Sequence, residues 1–197
     1  MLALRRNSGI CRGFTLIELM VTIAIGTILL LVATPSLISY RRNAELTSTA
    51  NTLVSSINAA RGEALKRGAS AMVVPTANGA DWNTGWLVFV DTDSNRSYDP
   101  AIDTLVFNQV SVPSSLAVVG NGTSLGVGAA IIFDSSGYSK TRTGGFGATT
   151  LSISRTDTTI AADPTQTRRI VISATGRTRV CTPLSATDAN CLPSSTF

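Results

Sequence analysis

The sequence predicts an α+β protein, with one long N-terminal helix whose second half lies on a mainly antiparallel β-sheet head. Three observations carry that expectation. From Phe14 to Ala33 the chain is apolar apart from Glu18, as in a helix surrounded by apolar material. Leu46, Ala50, Leu53, Ile57, Ala60 and Ala64 then recur at steps of four and three, which puts them on one helical face. Beyond Gly68 the chain is rich in Thr, Ser, Gly and Val and breaks into short runs between turn residues, a β pattern. The 197 residues, 44% of them apolar and 14% charged, hold one folded domain plus an appendage.

The elements follow in chain order. Arg5, Arg6 and Arg12 precede the apolar run without acidic neighbours, so the positive-inside tendency keeps this end in the cytoplasm and the rest outside. At ~1.5 Å per residue, Phe14–Ala33 rises roughly 30 Å, enough to cross a hydrocarbon core. A carboxylate in such a helix costs about 2.5–3.5 kcal/mol at the bilayer centre and less near an interface, so Glu18 calls for a partner. The plainer alternative is a glutamate snorkelling to the membrane surface. The helix is expected to run on to Arg67, with Lys66 and Arg67 near the negative dipole end and Gly68 as a left-handed cap. Pro35, and with it Gly26, is the expected point of kinking. The apolar stripe is expected to pack on the chain's own sheet in preference to a partner helix.

Seven β-like runs come next: "SAMVV", "GWLVFVD", "TLVFNQV", "LAVVG", "AAIIFD", "ATTLSIS" and "RRIVISA". Histidine is absent, which removes the usual general base and rules out a Ser/His/Asp triad, so no enzyme activity and no cofactor are expected. The clusters "GNGTSLGVG" and "GGFG" match no phosphate-loop spacing and read as β-connections. In "DTDSNRSYDPAID", Asp91, Asp93, Asn95, Asp99 and Asp103 alternate as calcium ligands do. Arg96 replaces the turn glycine and Ile102 the bidentate glutamate, so a solvated hairpin turn without metal is expected. Trp82 and Trp86 read as core and hairpin residues.

The far end of the chain holds the sharpest signals. Cys181 and Cys191 form a close pair, which points to one disulfide in an oxidising compartment, the alternative being two free thiols. Between Thr76 and Gly137 acidic residues outnumber the lone Arg96. Between Tyr138 and Cys181, Lys140, Arg142, Arg155, Arg168, Arg169, Arg177 and Arg179 face Asp157 and Asp163. A basic half of this kind points to an anionic partner, and the planar arginine fork suits phosphate. In "GRTRVC", Arg177 and Arg179 share one face of an extended strand, and Gly176 lets the backbone turn before them.

Residues "RGFTLIEL" closely resemble the type IV prepilin signal. That resemblance implies cleavage by a prepilin peptidase after Gly13, methylation of the new N-terminal Phe14, and docking of Glu18 onto the N-terminal amine of a neighbouring subunit. The stretches at Gly85–Asp91 and Ala130–Gly137 and the run "RRIVISATGRTR" are similar to the GspH/FimT group of minor pilins. The type IV pilin fold is thereby implied: leader 1–13, filament-core or transmembrane half-helix 14–40, amphipathic half-helix 41–68 and β-rich head 69–197. Gly-Arg-x-Arg near the C-terminus resembles the motif tied to DNA binding in FimT-type pilins of competent bacteria. By position Gly176, Arg177 and Arg179 would carry it, with Lys140, Arg142, Arg168 and Arg169 as further candidates. The implied partners are major and minor pilins, the peptidase, the inner membrane before assembly and double-stranded DNA. The head would face the periplasm and later sit on an extracellular pilus. The alternative is a structural minor pilin or type II secretion pseudopilin that initiates or caps a filament without binding nucleic acid.

Overall fold

The computed structural model describes residues 13–77, 79–160 and 162–192. The expected leader, Gly13 apart, lies outside the described residues, and so do its arginines. Helix α1 spans Leu16–Arg67. Thr15 caps it, its Oγ1 accepting the Glu18 N–H at 3.2 Å. Thr-x-x-Glu is capping-box spacing, and an acidic residue in the first turn complements the helix dipole. At the other end Lys66 and Arg67 occupy the last turn. Gly68, at φ 65°, returns its N–H to the Ala64 carbonyl at 3.0 Å. The helix carries on through Pro35.

The chain divides into two units, Met1–Arg41 and Arg42–Phe197. In the first, the large apolar side chains from Phe14 to Leu31 are exposed. Among the described residues no helix is long and apolar enough to cross a membrane.

Among its described residues the second unit holds nine strands: β1 (Ser70–Ala77), β2 (Asp81–Asp91), β3 (Thr104–Gln109), β4 (Leu116–Gly122), β5 (Ile131–Phe133), β6 (Ser139–Lys140), β7 (Thr149–Arg155), β8 (Thr167–Ile172) and β9 (Thr178–Cys181). They form two sheets, ordered β3-β2-β1-β5-β6 and β4-β7-β8-β9, with every strand pair antiparallel. All seven β-like runs become strands. The single sheet expected from them becomes two. The strands missed by pattern, β6 and β9, are short and carry Lys140 and Arg179, so neither shows an apolar alternation.

One core joins the helix to both sheets. The stripe Leu46, Ala50, Leu53, Ile57, Ala60 and Ala64 is fully or almost fully buried, in one cluster with Val73, Val88 and Ile131 of the first sheet and Leu151, Ile153 and Ile170 of the second. Period-two alternation sends the intervening residues of the first sheet to its other face. There Met72, Phe89 and Ile132 form a smaller cluster, with the Tyr98 ring 5.1 Å from that of Phe89.

Polar contacts fix how these layers meet. Arg61 on α1 donates from Nε to the Gly137 carbonyl at 3.0 Å and from Nη2 to the Thr175 carbonyl at 3.4 Å. It thus bridges the turn after β5 to the turn after β8. The Ser139 N–H adds a bond to the Ala174 carbonyl at 3.0 Å. Inside the core the Trp86 indole N–H donates to the Ser56 hydroxyl at 2.9 Å, and that of Trp82 to the Ser124 carbonyl at 2.9 Å. Replacing Ser56 with alanine strands the buried indole donor and is expected to cost about 1–3 kcal/mol. Urea unfolding followed by tryptophan fluorescence measures it; an unchanged midpoint would show that the bond does not hold the helix to β2.

Candidate functional site

The hairpin joining β8 to β9 builds the arginine site. Ser173 donates its N–H to the Arg177 carbonyl at 3.0 Å, and Gly176 donates to Ser173 at 2.9 Å. Gly176 sits at φ 77°, and a Cβ there would lie 2.0 Å from the Gly137 carbonyl oxygen. Only glycine satisfies both conditions. β9 forms the outer edge of its sheet, with Arg179 opposite Val171 and Thr178 opposite Ile172. Ile170 and Ile172 point into the core, so alternation turns Val171 and Arg179 to the other face. A cleft of about 450 Å³ opens there, lined by Val171, Ser173, Thr175, Arg177, Arg179 and Asn190. The exposed Arg177 guanidinium has no partner among the described residues. Arg179 is half-buried and donates from Nη1 to the Asn190 carbonyl at 3.0 Å.

The wall holding Arg179 is the C-terminal tail. Cys181 and Cys191 form a disulfide, with their Cα atoms 5.9 Å apart. Ahead of the short 3-10 helix Ala189–Cys191, Asp188 accepts N–H bonds from Leu184 and Asn190, both at 2.9 Å. These bonds hold its carboxyl below the usual range, because they favour the charged form. The tail is thereby fixed with the Asn190 carbonyl on Arg179 and the Cys191 carbonyl on Arg169.

This placement corrects the wider basic surface. Arg169 is buried, opposite Cys181 in register and bonded to the Cys191 carbonyl. Burial pushes its pKa down, against the pull of Asp188, so it supports the tail and does not present charge to solvent. Lys140 pairs with Asp134 at 3.3 Å and lies 3.9 Å from the centre of the Phe146 ring, a cation–π contact. Arg168 donates to the carbonyls of Thr165 at 2.6 Å and Thr167 at 3.0 Å. Arg142 lines a different cleft, with Arg96 and Tyr98. Arg155 is bound to Asp157 at 2.6 Å, and Asp157 also takes Arg42. Of the candidate residues, the structure brings together Gly176, Arg177 and Arg179.

The acidic segment also differs from a solvated turn. Asp91 and Asp103 are buried, and oxygens of Asp91, Asp93 and Asp103 lie within 4.8 Å of one another. Burial pushes the Asp91 carboxyl up, with the Asp103 charge adding to it and the Arg96 N–H opposing. The oxygens are taken up by loop backbone. Asp91 accepts from Asn95 and Arg96, each at 3.1 Å, and Asp103 from Thr92 at 2.9 Å and Asp99 at 2.8 Å. These carboxylates are the candidate metal ligands among the described residues, and their visible work is shaping the loop.

Comparison with known proteins sets these features in a family. Residues 49–176 match the model described as type II transport protein GspH, more than half of the chain. The chain belongs to the GspH family. Residues 10–34 match the prokaryotic N-terminal methylation motif. The fold is similar to crystal structures of the type IV minor pilin FimU of Pseudomonas aeruginosa. One crystal form gives a TM-score of 0.54 at 18% identity, covering 74% of this chain and 98% of that one. A second gives 0.52 at 18% identity, covering 71% and 98%. A pilin-like protein, PilA1, of Thermus thermophilus is 40% identical over 89 residues, 45% of this chain. That match spans 54% of the relative's own length.

The chain thus combines membership of the GspH family with the fold seen in the FimU structures. Gly13, Phe14 and Glu18, where processing and docking are expected from the sequence, are exposed. Sequence reasoning missed the cap at Thr15, whose Oγ1 takes the Glu18 N–H, although the spacing Thr15-x-x-Glu18 signals it. It also missed the tail carbonyls that hold Arg179, since no side-chain pattern announces a backbone acceptor. The family match ends at Gly176, one residue before the arginines.

Asp157 allows a pH test of the ion pairs that draw charge out of the basic half. Its hydrogen bond to Arg155, opposed by desolvation and helped by the charges of Arg155 and Arg42, lowers its pKa to about 2. The unfolded value is ~3.9, so the pair's stabilisation is present above about pH 4 and lost as pH falls through about 2. Arg155→Ala is expected to return the Asp157 titration towards ~3.9, read by NMR of its carboxyl carbon. An unmoved midpoint would assign the shift to another group.

Proposed function

We propose that this chain is a minor type IV pilin whose head binds extracellular double-stranded DNA at the Arg177/Arg179 cleft, for uptake during natural transformation. Its role is binding, not catalysis. A prepilin peptidase cleaves after Gly13, Phe14 is methylated, and the protein is held at the bacterial inner membrane with its head on the periplasmic side until it enters the pilus. Glu18 then meets the N-terminal amine of a neighbouring subunit. The observation that carries the DNA reading is the cleft. A guanidinium without a partner among the described residues, Arg177, stands beside one braced by the Asn190 carbonyl, Arg179, with Ser173 and Thr175 as neighbours. The Asn190 carbonyl holds the Arg179 fork in one orientation, and a planar guanidinium fork suits phosphate oxygens. Contacts of this kind are independent of sequence and weaken with salt.

One observation favours the structural alternative, a subunit that initiates or caps a filament without binding nucleic acid. Burial of Arg169 and the ion pairs of Lys140 and Arg155 leave little free positive charge around the cleft. In that reading Arg177 and Arg179 contact acidic neighbouring subunits.

Fluorescence anisotropy of a labelled duplex, titrated with the full chain in detergent micelles, separates the two. The double substitution Arg177→Ala/Arg179→Ala is expected to weaken binding and to lower the slope of log K against log salt by ~1 for each phosphate it leaves unneutralised. A wild-type chain that fails to bind duplex at low salt would leave the structural reading in place.

A further inference from the structure

The chain has a second arginine cleft that neither the pilin motif nor the C-terminal Gly-Arg-x-Arg sequence accounts for. It lies on the first sheet and measures about 290 Å³, with Arg96, Arg142, Thr76, Ser97 and Tyr98 on its walls and Val74 and Leu87 among its apolar lining. Arg96 and Arg142 come from distant loops and hold each other reciprocally. Each donates from Nη1 to the other's backbone carbonyl. Arg142 is braced further, its Nε donating to the Gly128 carbonyl at 2.6 Å. Gly128 sits at φ 78°, and the site of a Cβ there would lie 3.3 Å from that nitrogen, so the carbonyl is presented from a turn built around a glycine. Arg96 is itself at φ 60°, its N–H anchored on Asp91 at 3.1 Å.

Two arginines lining one cleft give it a positive potential that favours an anion. Neither has an acidic partner among the described residues. The carboxylates of the same loop are engaged elsewhere. Asp91 and Asp103 accept backbone N–H groups of Asn95, Arg96, Thr92 and Asp99, and Asp93 accepts from Asn95. The groups that do hold the two arginines are neutral carbonyls, which fix direction and leave both charges in place. Each guanidinium keeps N–H donors for a further acceptor, and paired forks are matched to the oxygens of a phosphate group.

We propose that Arg96 and Arg142 form a phosphate-binding clamp, a second anion site on the head that is separate from Arg177 and Arg179. Its ligand is a phosphate group, either free or in a phosphodiester chain, received in the cleft that the two arginines line together with Ser97 and Tyr98. The proposal does not depend on DNA binding at the C-terminal arginines.

The test is isothermal titration of the full chain, in a detergent that carries no phosphate, with two probes: inorganic phosphate and a short DNA duplex. Saturable phosphate binding that weakens about tenfold in Arg142→Ala and in Arg96→Ala, as removal of charged hydrogen bonds requires, supports the clamp. Binding of the duplex without free phosphate, weakened by the same substitutions, also supports it and assigns a phosphodiester. Arg142→Lys keeps the cation but not the fork, so it guards against misfolding. It is expected to keep the near-UV circular dichroism of wild type and still bind more weakly. Lys66→Ala, which removes one charge from α1, is expected to leave affinity unchanged. Equal affinity of wild type and Arg96→Ala/Arg142→Ala for both probes overturns the proposal, and so does a wild-type chain that binds neither.

Discussion

The head depends on one constraint: the stripe from Leu46 to Ala64 must be covered by two sheets at once. Neither sheet makes a closed core by itself, and the buried residues of α1 touch one cluster drawn from both. Small residues at Ala50, Ala60 and Ala64 alternate with large ones at Leu46, Leu53 and Ile57. That mixture lets two inner β faces approach a single helix closely. Arg61 is the polar counterpart of the stripe. From the same helix it reaches the Gly137 and Thr175 carbonyls, which sit on turns of different sheets, so the positions of these turns are coupled to the helix.

Much of this was legible in the sequence, because it rests on periodicity. The helical steps of the stripe, the cap at Gly68 and the seven apolar β runs report burial directly, and burial is what a hydropathy pattern encodes. The division into two sheets was not legible. It depends on which strands pair, and the pairings of β1 with β5 and of β4 with β7 join segments far apart in the chain. The strands β6 and β9 were hidden for a different reason. Their residues are short of apolar side chains, and they are held by backbone bonds to neighbours already in place. At "GRTR" the strand begins only at Thr178, so Arg179 lies on β9 and Arg177 precedes it, after the turn at Gly176.

Charge was read less well than packing. A count along the chain treats every arginine as available, whereas the fold sorts them by what lies within reach. Arg169 is covered by the tail, Arg155 and Lys140 meet carboxylates, and Arg142 joins Arg96 on the other sheet. These outcomes depend on meetings between segments that no local motif specifies. The acidic segment shows the same limit. Its alternating Asp residues looked solvated, yet Asp91 and Asp103 fold inward to take up backbone donors. Both cases follow from one rule: a polar side chain near unsatisfied backbone groups is drawn to them before it is offered to solvent.

The locked turn at Gly176 has a consequence for how such a head can diversify. Gly176 is wedged on the Gly137 carbonyl, and the core ends with Ile172 just before the turn. Past that point the backbone is held from outside the core, by the β8 ladder, the disulfide and the tail carbonyls. The exposed Arg177 side chain has no partner among the described residues that its replacement would remove. The hairpin therefore works as a grafting point, where the chemistry displayed at the rim of the head can be exchanged while the scaffold beneath it keeps its shape.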